Sequence, residues 1–156
     1  MTASARTNTK SILLIEDEPA DVELIRHVLH QAPAPARLQV LGSLAEALGF
    51  VDALRRHPRQ ERPDLIILDL NLHQERAFGV LQAIKDDEHL KAIPILVLTS
   101  SSADRDVWRS YQHHANAYIV KPTDARDFQT VLRRIVEFYL GVVLLPPATA
   151  PQDRGT

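Results

Sequence analysis

The sequence predicts a doubly wound α/β domain, in which helices cover both faces of a parallel sheet. Five short apolar runs recur along the chain, and a stretch with helical periodicity follows each of them. Three of these runs are nearly continuous in Ile, Leu and Val, which is typical of strands that are buried on both faces. Strands that alternate with helices in this way form parallel sheets with right-handed crossovers.

The five apolar runs are the predicted strands. They are SILLI (residues 11–15), RLQVL (37–41), DLIIL (64–68), PILVL (94–98) and NAYIV (116–120). The second run is expected to be an edge strand, and it alone ends without a reactive side chain.

Apolar residues three and four positions apart predict the helices between these strands. The stripes are Ala20, Leu24, Ile25, Val28 and Leu29 in the first helix; Leu44, Ala47, Leu48, Val51 and Leu54 in the second; Val80, Leu81 and Ile84 in the third; Val107, Trp108, Tyr111 and Ala115 in the fourth; and Phe128, Val131, Leu132, Ile135, Val136 and Tyr139 in the fifth. The fifth helix is expected to run from Thr123 to about Leu140. Ser43, with Glu46 three residues later, predicts a capping box at the start of the second.

Length and composition restrict the class of protein. A chain of 156 residues that is 45% hydrophobic is best explained as one domain with its own core. The formal charge of −2 predicts no nucleic-acid surface, and the absence of cysteine excludes disulfides and thiolate metal sites. No apolar run approaches the roughly 20 residues of a membrane span, and no signal peptide is evident, so a cytoplasmic protein is expected. We interpret residues 1–9 as a flexible arm, 10–140 as the domain, and 141–156 as an extension that is apolar and then disordered.

Polar side chains follow four of the five predicted strands, at the edge where a parallel α/β sheet binds its ligands. They are Glu16 and Asp17, Asp69 and Asn71, Thr99 and Ser100, and Lys121, which is followed by Pro122. Each has an ordinary alternative, because acids suit helix N-termini and turns, hydroxyls suit caps, and most lysines are solvated.

Taken together, these residues predict a site for a divalent cation and a phosphoryl group. Converging carboxylates repel one another, so they need a cation or altered protonation. Mg²⁺ prefers one or two carboxylates plus phosphate oxygens, while Lys121 and Thr99 are suited to hold the remaining phosphoryl oxygens. In such a pocket Asp69 is a candidate nucleophile that forms an acyl phosphate.

Four motifs at the strand ends, ILLIEDEP, IILDLNL, VLTSS and YIVKP, resemble those of response-regulator receiver domains, the phosphoacceptor modules of two-component signalling. The resemblance covers about residues 10–140 and implies a flavodoxin-like sheet of five parallel strands in the order 2-1-3-4-5. It implies a single-domain response regulator that takes a phosphoryl group from a histidine kinase. Such a protein is not an enzyme, beyond catalysing its own phosphorylation and dephosphorylation.

The resemblance also implies roles for individual residues. Asp69 matches the phosphorylated aspartate. Glu16, Asp17, Asp69 and the backbone carbonyl of Asn71 match the Mg²⁺-binding positions, and Thr99 and Lys121 match residues that contact the phosphoryl group. Tyr118 matches an aromatic switch that turns inward when Thr99 moves, which implies signalling through the α4-β5-α5 face. The Lys121–Pro122 bond matches one that is often cis.

Three positions depart from the family's usual pattern. His73 stands where proline is usual, Ala77 where glycine is common, and Glu16 where aspartate is more usual. We expect an altered loop into the third helix and altered coordination of the ion, while the phosphoacceptor chemistry is retained. His73 is not expected to bind the ion, because Mg²⁺ prefers oxygen ligands.

The segments EDEPADVELIR, HANAYIVKP and FYLGVVLLPP resemble, more narrowly, stand-alone receivers that partner bacterial phytochrome kinases. No output domain is expected after about Leu140, so the output is expected to be a protein contact. A surplus of apolar residues near this end predicts a homodimer interface, although the segment has the alternative of folding back on its own domain. The candidates are Phe138, Leu140, Val142, Val143, Leu144 and Leu145.

Three other functions are alternatives to this one. A phosphohydrolase with an aspartyl nucleophile would carry a general acid two residues later, where this chain has Asn71. A flavodoxin-like nucleotide binder would need a small-residue loop after the first strand, where EDEP places anions. A degenerate receiver, which acts as a protein-interaction scaffold without phosphorylation, is the alternative that stays open.

Overall fold

Five strands alternate with five helices along the chain, as the sequence predicts. The structure is a computed structural model that describes residues 9–57 and 60–147. The elements are β1 (Lys10–Ile15), α1 (Pro19–His30), β2 (Ala36–Leu41), α2 (Leu44–Arg56), β3 (Leu65–Leu68), α3 (Gln74–Lys85), β4 (Ile95–Thr99), α4 (Asp104–Gln112), β5 (Ala117–Val120), α5 (Ala125–Val136) and a π-helix (Glu137–Val142).

The strands form one parallel sheet in the order β2-β1-β3-β4-β5. The predicted architecture is therefore confirmed, with the second strand at an edge. From β1 the chain leads outward to β2 on one side and then to β3 on the other. A crevice opens at the carboxyl ends of the strands where the order reverses in this way, and this is where such sheets bind ligands.

The pleat of the sheet divides the core into two layers. In β1, Leu13 and Ile15 pack with α2 and α3, whereas Ile12 and Leu14 pack with α1 and α5. Every residue of β3 and β4 is buried. These two strands are covered on both faces, which explains why their sequences are continuous apolar runs and do not alternate.

Local sequence sets the starts of the first two helices. Glu18 caps α1 by accepting a hydrogen bond from the backbone N–H of Ala20, and Pro19 occupies the first turn, where its missing N–H costs nothing. Ser43 caps α2 by accepting from the N–H of Glu46, while the Glu46 carboxylate accepts from the N–H of Gly42. Because Glu18 fills the capping position, Glu16 and Asp17 are left for another role.

The fourth helix differs from its sequence prediction. Its buried residues are Asp106 and Ser110, whereas Trp108 is 70% exposed and Tyr111 is 49% exposed. The predicted fourth helix is therefore confirmed, but the two aromatic residues of its apolar stripe lie toward solvent and not toward the core. The inward face holds small polar groups because Ser101 provides a hydrogen-bond partner for the buried Asp106 carboxylate.

The C-terminal part of the described chain corrects one further prediction. The helical region predicted to end near Leu140 is α5 followed by the π-helix, which ends at Val142. Leu145 is buried at 5% exposure, and Pro146 and Pro147 line a cavity with Asp64 and Pro94 at the opposite edge of the sheet from the crevice. The segment folds back here, so the prediction that Leu145 belongs to a dimer interface was wrong.

Two predicted segments fall mainly outside the described residues. Residues 1–8 of the N-terminal arm predicted at 1–9, and residues 148–156 of the extension predicted at 141–156, are not described. Within the described residues, no helix is both long enough and apolar enough to span a membrane.

Candidate functional site

Three carboxylates converge where β1 and β3 end. Glu16 follows β1 and Asp69 follows β3, and these strands are paired so that Ile15 lies opposite Leu68. The N–H of Asp69 donates to the carbonyl of Ile15 at 3.0 Å, which continues the pairing by one step. Oxygen atoms of Glu16, Asp17 and Asp69 lie within 4.8 Å of one another. Glu16 and Asp69 are buried, at 1% and 2% exposure, and Asp17 is exposed at the mouth of the site.

Lys121 supplies the positive charge that offsets part of this cluster. Its backbone N–H extends the β4–β5 ladder by donating to the carbonyl of Thr99 at 2.7 Å. Its ammonium donates to Glu16 Oε2 at 2.6 Å, to Asp21 Oδ2 at 2.8 Å and to Asp69 Oδ2 at 3.1 Å. All three of its donor hydrogens are thus used on carboxylates.

Asp21 is the site residue that sequence reasoning missed. It lies in the first turn of α1, which follows the acidic end of β1. Its only sequence signal was an acid in the first turn of a helix, and this signal is ambiguous, because acids favour that position for the helix dipole alone. Only the approach of Lys121 from a strand end 100 residues away shows its place in the site.

The charges in this pocket shift the pKa values of two groups. Burial raises the pKa of Glu16 from 4.5 to about 7; the hydrogen bond from Lys121 opposes this shift and the charge of Asp69 adds to it. For Lys121, burial favours the neutral form, but the hydrogen bonds to Asp21 and Glu16 outweigh it and the pKa is raised. Lys121 therefore stays charged, while Glu16 releases its proton near neutral pH.

Asn71 and Thr99 organise the other side of Asp69. The N–H of Asn71 donates to Asp69 Oδ1 at 2.9 Å, so both carboxylate oxygens of Asp69 accept hydrogen bonds. The hydroxyl of Thr99, which is fully buried, donates to Asn71 Oδ1 at 3.2 Å, and the Asn71 amide nitrogen donates to Ser100 Oγ at 2.9 Å. The Asn71 carbonyl accepts from the N–H of His73 at 3.0 Å.

A second polar network leads away from Thr99. Ser101 Oγ donates to Asp106 Oδ2 at 2.6 Å, and the Tyr118 hydroxyl donates to the carbonyl of Ser101 at 2.8 Å. Burial raises the pKa of Tyr118. The N–H of Tyr118 also donates to the hydroxyl of Tyr111. This network connects β5 and α4 to the loop that begins at Thr99.

Comparison with known proteins agrees with this geometry. The family model of the response regulator receiver domain matches residues 12–133. The chain belongs to this family. This match confirms the family resemblance inferred from the four motifs. Receiver domains are signalling proteins that work with histidine kinases.

Individual relatives are similar over nearly the whole chain. The chain is 37% identical over 139 residues to the response regulator Rcp1 of Synechocystis sp., an alignment that covers 89% of this chain and 95% of Rcp1. The crystal structure of the Mn²⁺-bound form of Rcp1 superposes with a TM-score of 0.82 and 37% identity, covering 88% of this chain and 99% of Rcp1. The phosphorylated cyanobacterial phytochrome response regulator RcpA gives a TM-score of 0.81 and 35% identity, covering 89% and 99%.

The carboxylate set of this receiver fits a divalent metal ion. Receiver domains bind such an ion, and hard cations take oxygen ligands, of which Glu16, Asp17 and Asp69 each offer one within the cluster. His73 is not part of the cluster. It lies at the start of α3 in the left-handed region, with φ of 46°, and its side chain makes no capping hydrogen bond.

The positions where this receiver departs from the family pattern are accommodated differently. Ala77 is completely buried inside α3 and packs in the core layer with α2, so no special backbone conformation is needed there. His73 does adopt a backbone that residues with a side chain seldom use.

The predicted cis bond between Lys121 and Pro122 is not found. The described residues contain no cis peptide bond, so that prediction was wrong. The trans isomer is the lower in energy before proline by about 0.5–1 kcal/mol, and the Lys121 ammonium already reaches its three carboxylates from it.

The remaining dimer candidates differ in exposure. Phe138, Val142 and Leu144 are exposed at 51%, 75% and 96%. Leu140 and Val143 are half-buried, and Leu140 packs against the core layer with α1 and α5. Because three of the candidates are exposed, the dimer interface stays a prediction.

Proposed function

We propose that this receiver is a single-domain response regulator that accepts a phosphoryl group from a histidine kinase on Asp69, in a reaction that depends on Mg²⁺. One observation carries the proposal: the Lys121 ammonium lies 3.1 Å from an oxygen of a buried aspartate that also belongs to a three-carboxylate cluster. A carboxylate beside a fixed cation and an oxygen-rich metal site has what phosphoryl transfer requires.

Asp69 is held in one orientation for this reaction. Its oxygens accept hydrogen bonds from the N–H of Asn71 and from Lys121, and only 2% of the residue is exposed. In the transfer, an Asp69 oxygen forms a bond to phosphorus while the bond from phosphorus to the kinase histidine nitrogen breaks, and the nitrogen keeps the electron pair.

Lys121 and Thr99 would hold the transferred group. Lys121 presents a point charge that exchanges its hydrogen bond to Asp69 for one to a phosphoryl oxygen, since an ammonium has rotatable donors. The Thr99 hydroxyl, which now donates to Asn71, would turn to the phosphoryl group. Mg²⁺ held by Glu16, Asp17, Asp69 and the Asn71 carbonyl would neutralise charge that develops on the phosphoryl oxygens.

The signal would leave the site through the α4-β5-α5 face. Movement of Thr99 bears on Ser101 and, through the Ser101 carbonyl, on the Tyr118 hydroxyl. The structure already has Tyr118 turned toward that carbonyl, at 2.8 Å. A phosphoryl group adds negative charge and strong acceptors, so it would shift the balance between orientations of Thr99 and Tyr118 and reshape this face.

The partners follow from the relatives and from the surface. RcpA is a cyanobacterial phytochrome response regulator, so we propose that the phosphoryl donor is a histidine kinase of the bacterial phytochrome class. A formal charge of −2 supports a protein partner over nucleic acid or a membrane surface, and we propose a cytoplasmic protein. The receiver domain would span residues 10–140, with a C-terminal extension at 141–156.

The phosphoacceptor test uses acetyl phosphate as the donor. The purified chain is incubated with and without Mg²⁺ and its intact mass is measured beside Asp69→Asn. We expect a Mg²⁺-dependent gain of one phosphoryl group, absent in the variant and removed by hydroxylamine, which cleaves acyl phosphates. No gain, together with no binding of beryllofluoride, would contradict the proposal and favour the scaffold that acts without phosphorylation.

The dimer is a separate proposal, carried by the exposed apolar side chains of the C-terminal segment. Leu144 is 96% exposed and Val142 is 75% exposed, and such patches usually bury against a partner. We expect light scattering to give the mass of a dimer for the chain and of a monomer for Leu144→Lys. Leu48→Lys is the matched control, because Leu48 is an exposed leucine on α2, and it should remain dimeric. A monomeric chain, or a dimer unaffected by Leu144→Lys, would contradict this interface.

A further inference from the structure

The Lys121 ammonium is held by three different elements of the fold. Glu16 approaches from the end of β1, Asp69 from the end of β3, and Asp21 from the first turn of α1. The Asp21 contact, at 2.8 Å, is shorter than the 3.1 Å contact to the phosphoacceptor candidate. The Lys121 side chain is 8% exposed and that of Asp21 is 23% exposed, so water screens this pair only in part.

The three carboxylates that accept from Lys121 differ in whether they belong to the metal cluster. Glu16 and Asp69 are members of the three-carboxylate group, and Asp21 is not, among the residues that the structure describes. A cation bound in that group would compete with Lys121 for the oxygens of Glu16 and Asp69. Phosphorylation of Asp69 would also use one of its two carboxylate oxygens. Asp21 is therefore the acceptor of Lys121 that is neither a member of the metal cluster nor the phosphoacceptor candidate.

We propose that Asp21 is a positioning residue that fixes the Lys121 ammonium for the phosphoryl group, an inference that rests on the proposed function. A lysine side chain has four rotatable methylene units, and ordering them costs conformational entropy each time the ammonium binds. A fixed carboxylate on α1 orders the chain beforehand, so the phosphoryl group meets a lysine that is already in place.

A positioning role and a purely electrostatic role of Asp21 predict opposite changes in anion affinity when Asp21 is replaced. Asp21 adds one negative charge near an anion site, so replacing it with neutral Asn should tighten anion binding if charge alone matters. If Asp21 orders Lys121, the same replacement loosens the lysine and weakens binding. The direction of the change therefore separates the two explanations.

The test is a double-mutant cycle on the complete chain at saturating Mg²⁺, with beryllofluoride as the phosphoryl mimic and calorimetry as the measurement. We expect Asp21→Asn to weaken binding about ten-fold, the scale of one charge-assisted hydrogen bond that is partly screened. In a Lys121→Met background the same change should have no such effect, because the lysine through which Asp21 acts is gone. Glu23→Gln is the matched control, since it removes an exposed acid from the same helix, and it should bind as the unaltered chain does.

Each other outcome has a defined meaning. Unchanged or tighter binding by Asp21→Asn overturns the proposal, and so does an equal loss in both backgrounds. The same cycle is run on urea unfolding of the metal-free proteins, which needs no ligand. Absence of coupling between Asp21 and Lys121 there also overturns the proposal. If the unaltered chain binds no beryllofluoride, the proposed function fails, and the unfolding cycle still decides whether Asp21 holds Lys121.

Discussion

The raised pKa of Glu16 predicts a specific dependence of stability on pH in the metal-free protein. The pKa rises from 4.5 to about 7 on folding, mainly because the carboxyl is buried. Between these values the folded chain keeps a proton that the unfolded chain has lost, so the free energy of unfolding falls as pH rises. The Glu16 contribution is fully present below about pH 4.5 and is lost as pH rises through about 7. At about 1.4 kcal/mol per pH unit, the whole effect is about 3.5 kcal/mol.

Replacing Glu16 with Gln should remove this dependence. Glutamine keeps an oxygen that can accept from Lys121, but it has no proton to lose in this pH range. The advantage of Glu16→Gln over the unaltered chain, measured by urea unfolding in EDTA, should therefore grow by about 2.5 kcal/mol from about pH 5 to pH 8. Subtracting the two curves cancels every contribution that the two proteins share. Parallel curves for the two proteins would refute the reasoning.

Three further predictions concern the metal cluster, the switch and the C-terminal segment. Asp17→Asn should weaken binding of Mg²⁺ about ten-fold or more by calorimetry, because it removes one of the carboxylates that the ion requires, and unchanged affinity would remove Asp17 from the site. Tyr118→Phe should keep phosphorylation by acetyl phosphate but lower the free energy of unfolding by about 1 kcal/mol, through loss of the hydrogen bond to Ser101; failure to become phosphorylated would contradict its place outside the reacting group. Leu145→Ala should cost about 2–3 kcal/mol in urea unfolding, whereas Leu144→Ala, at 96% exposure, should cost almost nothing, and equal effects would contradict the fold-back.

The outward position of the α4 aromatic residues has a physical cause that the sequence did not show. Helical spacing groups Trp108 with Tyr111 as readily toward the core as toward solvent. Asp106 and Ser110 lie inward because Ser101 donates to the Asp106 carboxylate and the Ser110 hydroxyl donates to the carbonyl of Asp106. A buried acid is tolerated only where such partners exist, and these partners depend on where the β4–α4 loop lies.

The same distinction separates Leu145 from Leu144. Two adjacent leucines after a helix carry identical local signals, so the sequence predicted both for one interface. The path of the chain after the π-helix buries Leu145, at 5% exposure, and leaves Leu144 at 96% exposure. Burial is a property of the whole chain path, so no local pattern could assign it.

Sequence patterns alone are enough to predict the alternation of strands and helices, the parallel sheet and the residues at its carboxyl edge. Continuous apolar runs such as β3 and β4 have no stable place except between two layers of helices, and parallel strands bring their ends to one edge. The contact of Asp21 with Lys121, by contrast, is visible only in three dimensions. Asp21 and Lys121 are 100 residues apart, and their 2.8 Å contact depends on how α1 and β5 are placed around the sheet. Electrostatic interactions of this kind depend on distance and burial in three dimensions, which sequence spacing does not contain.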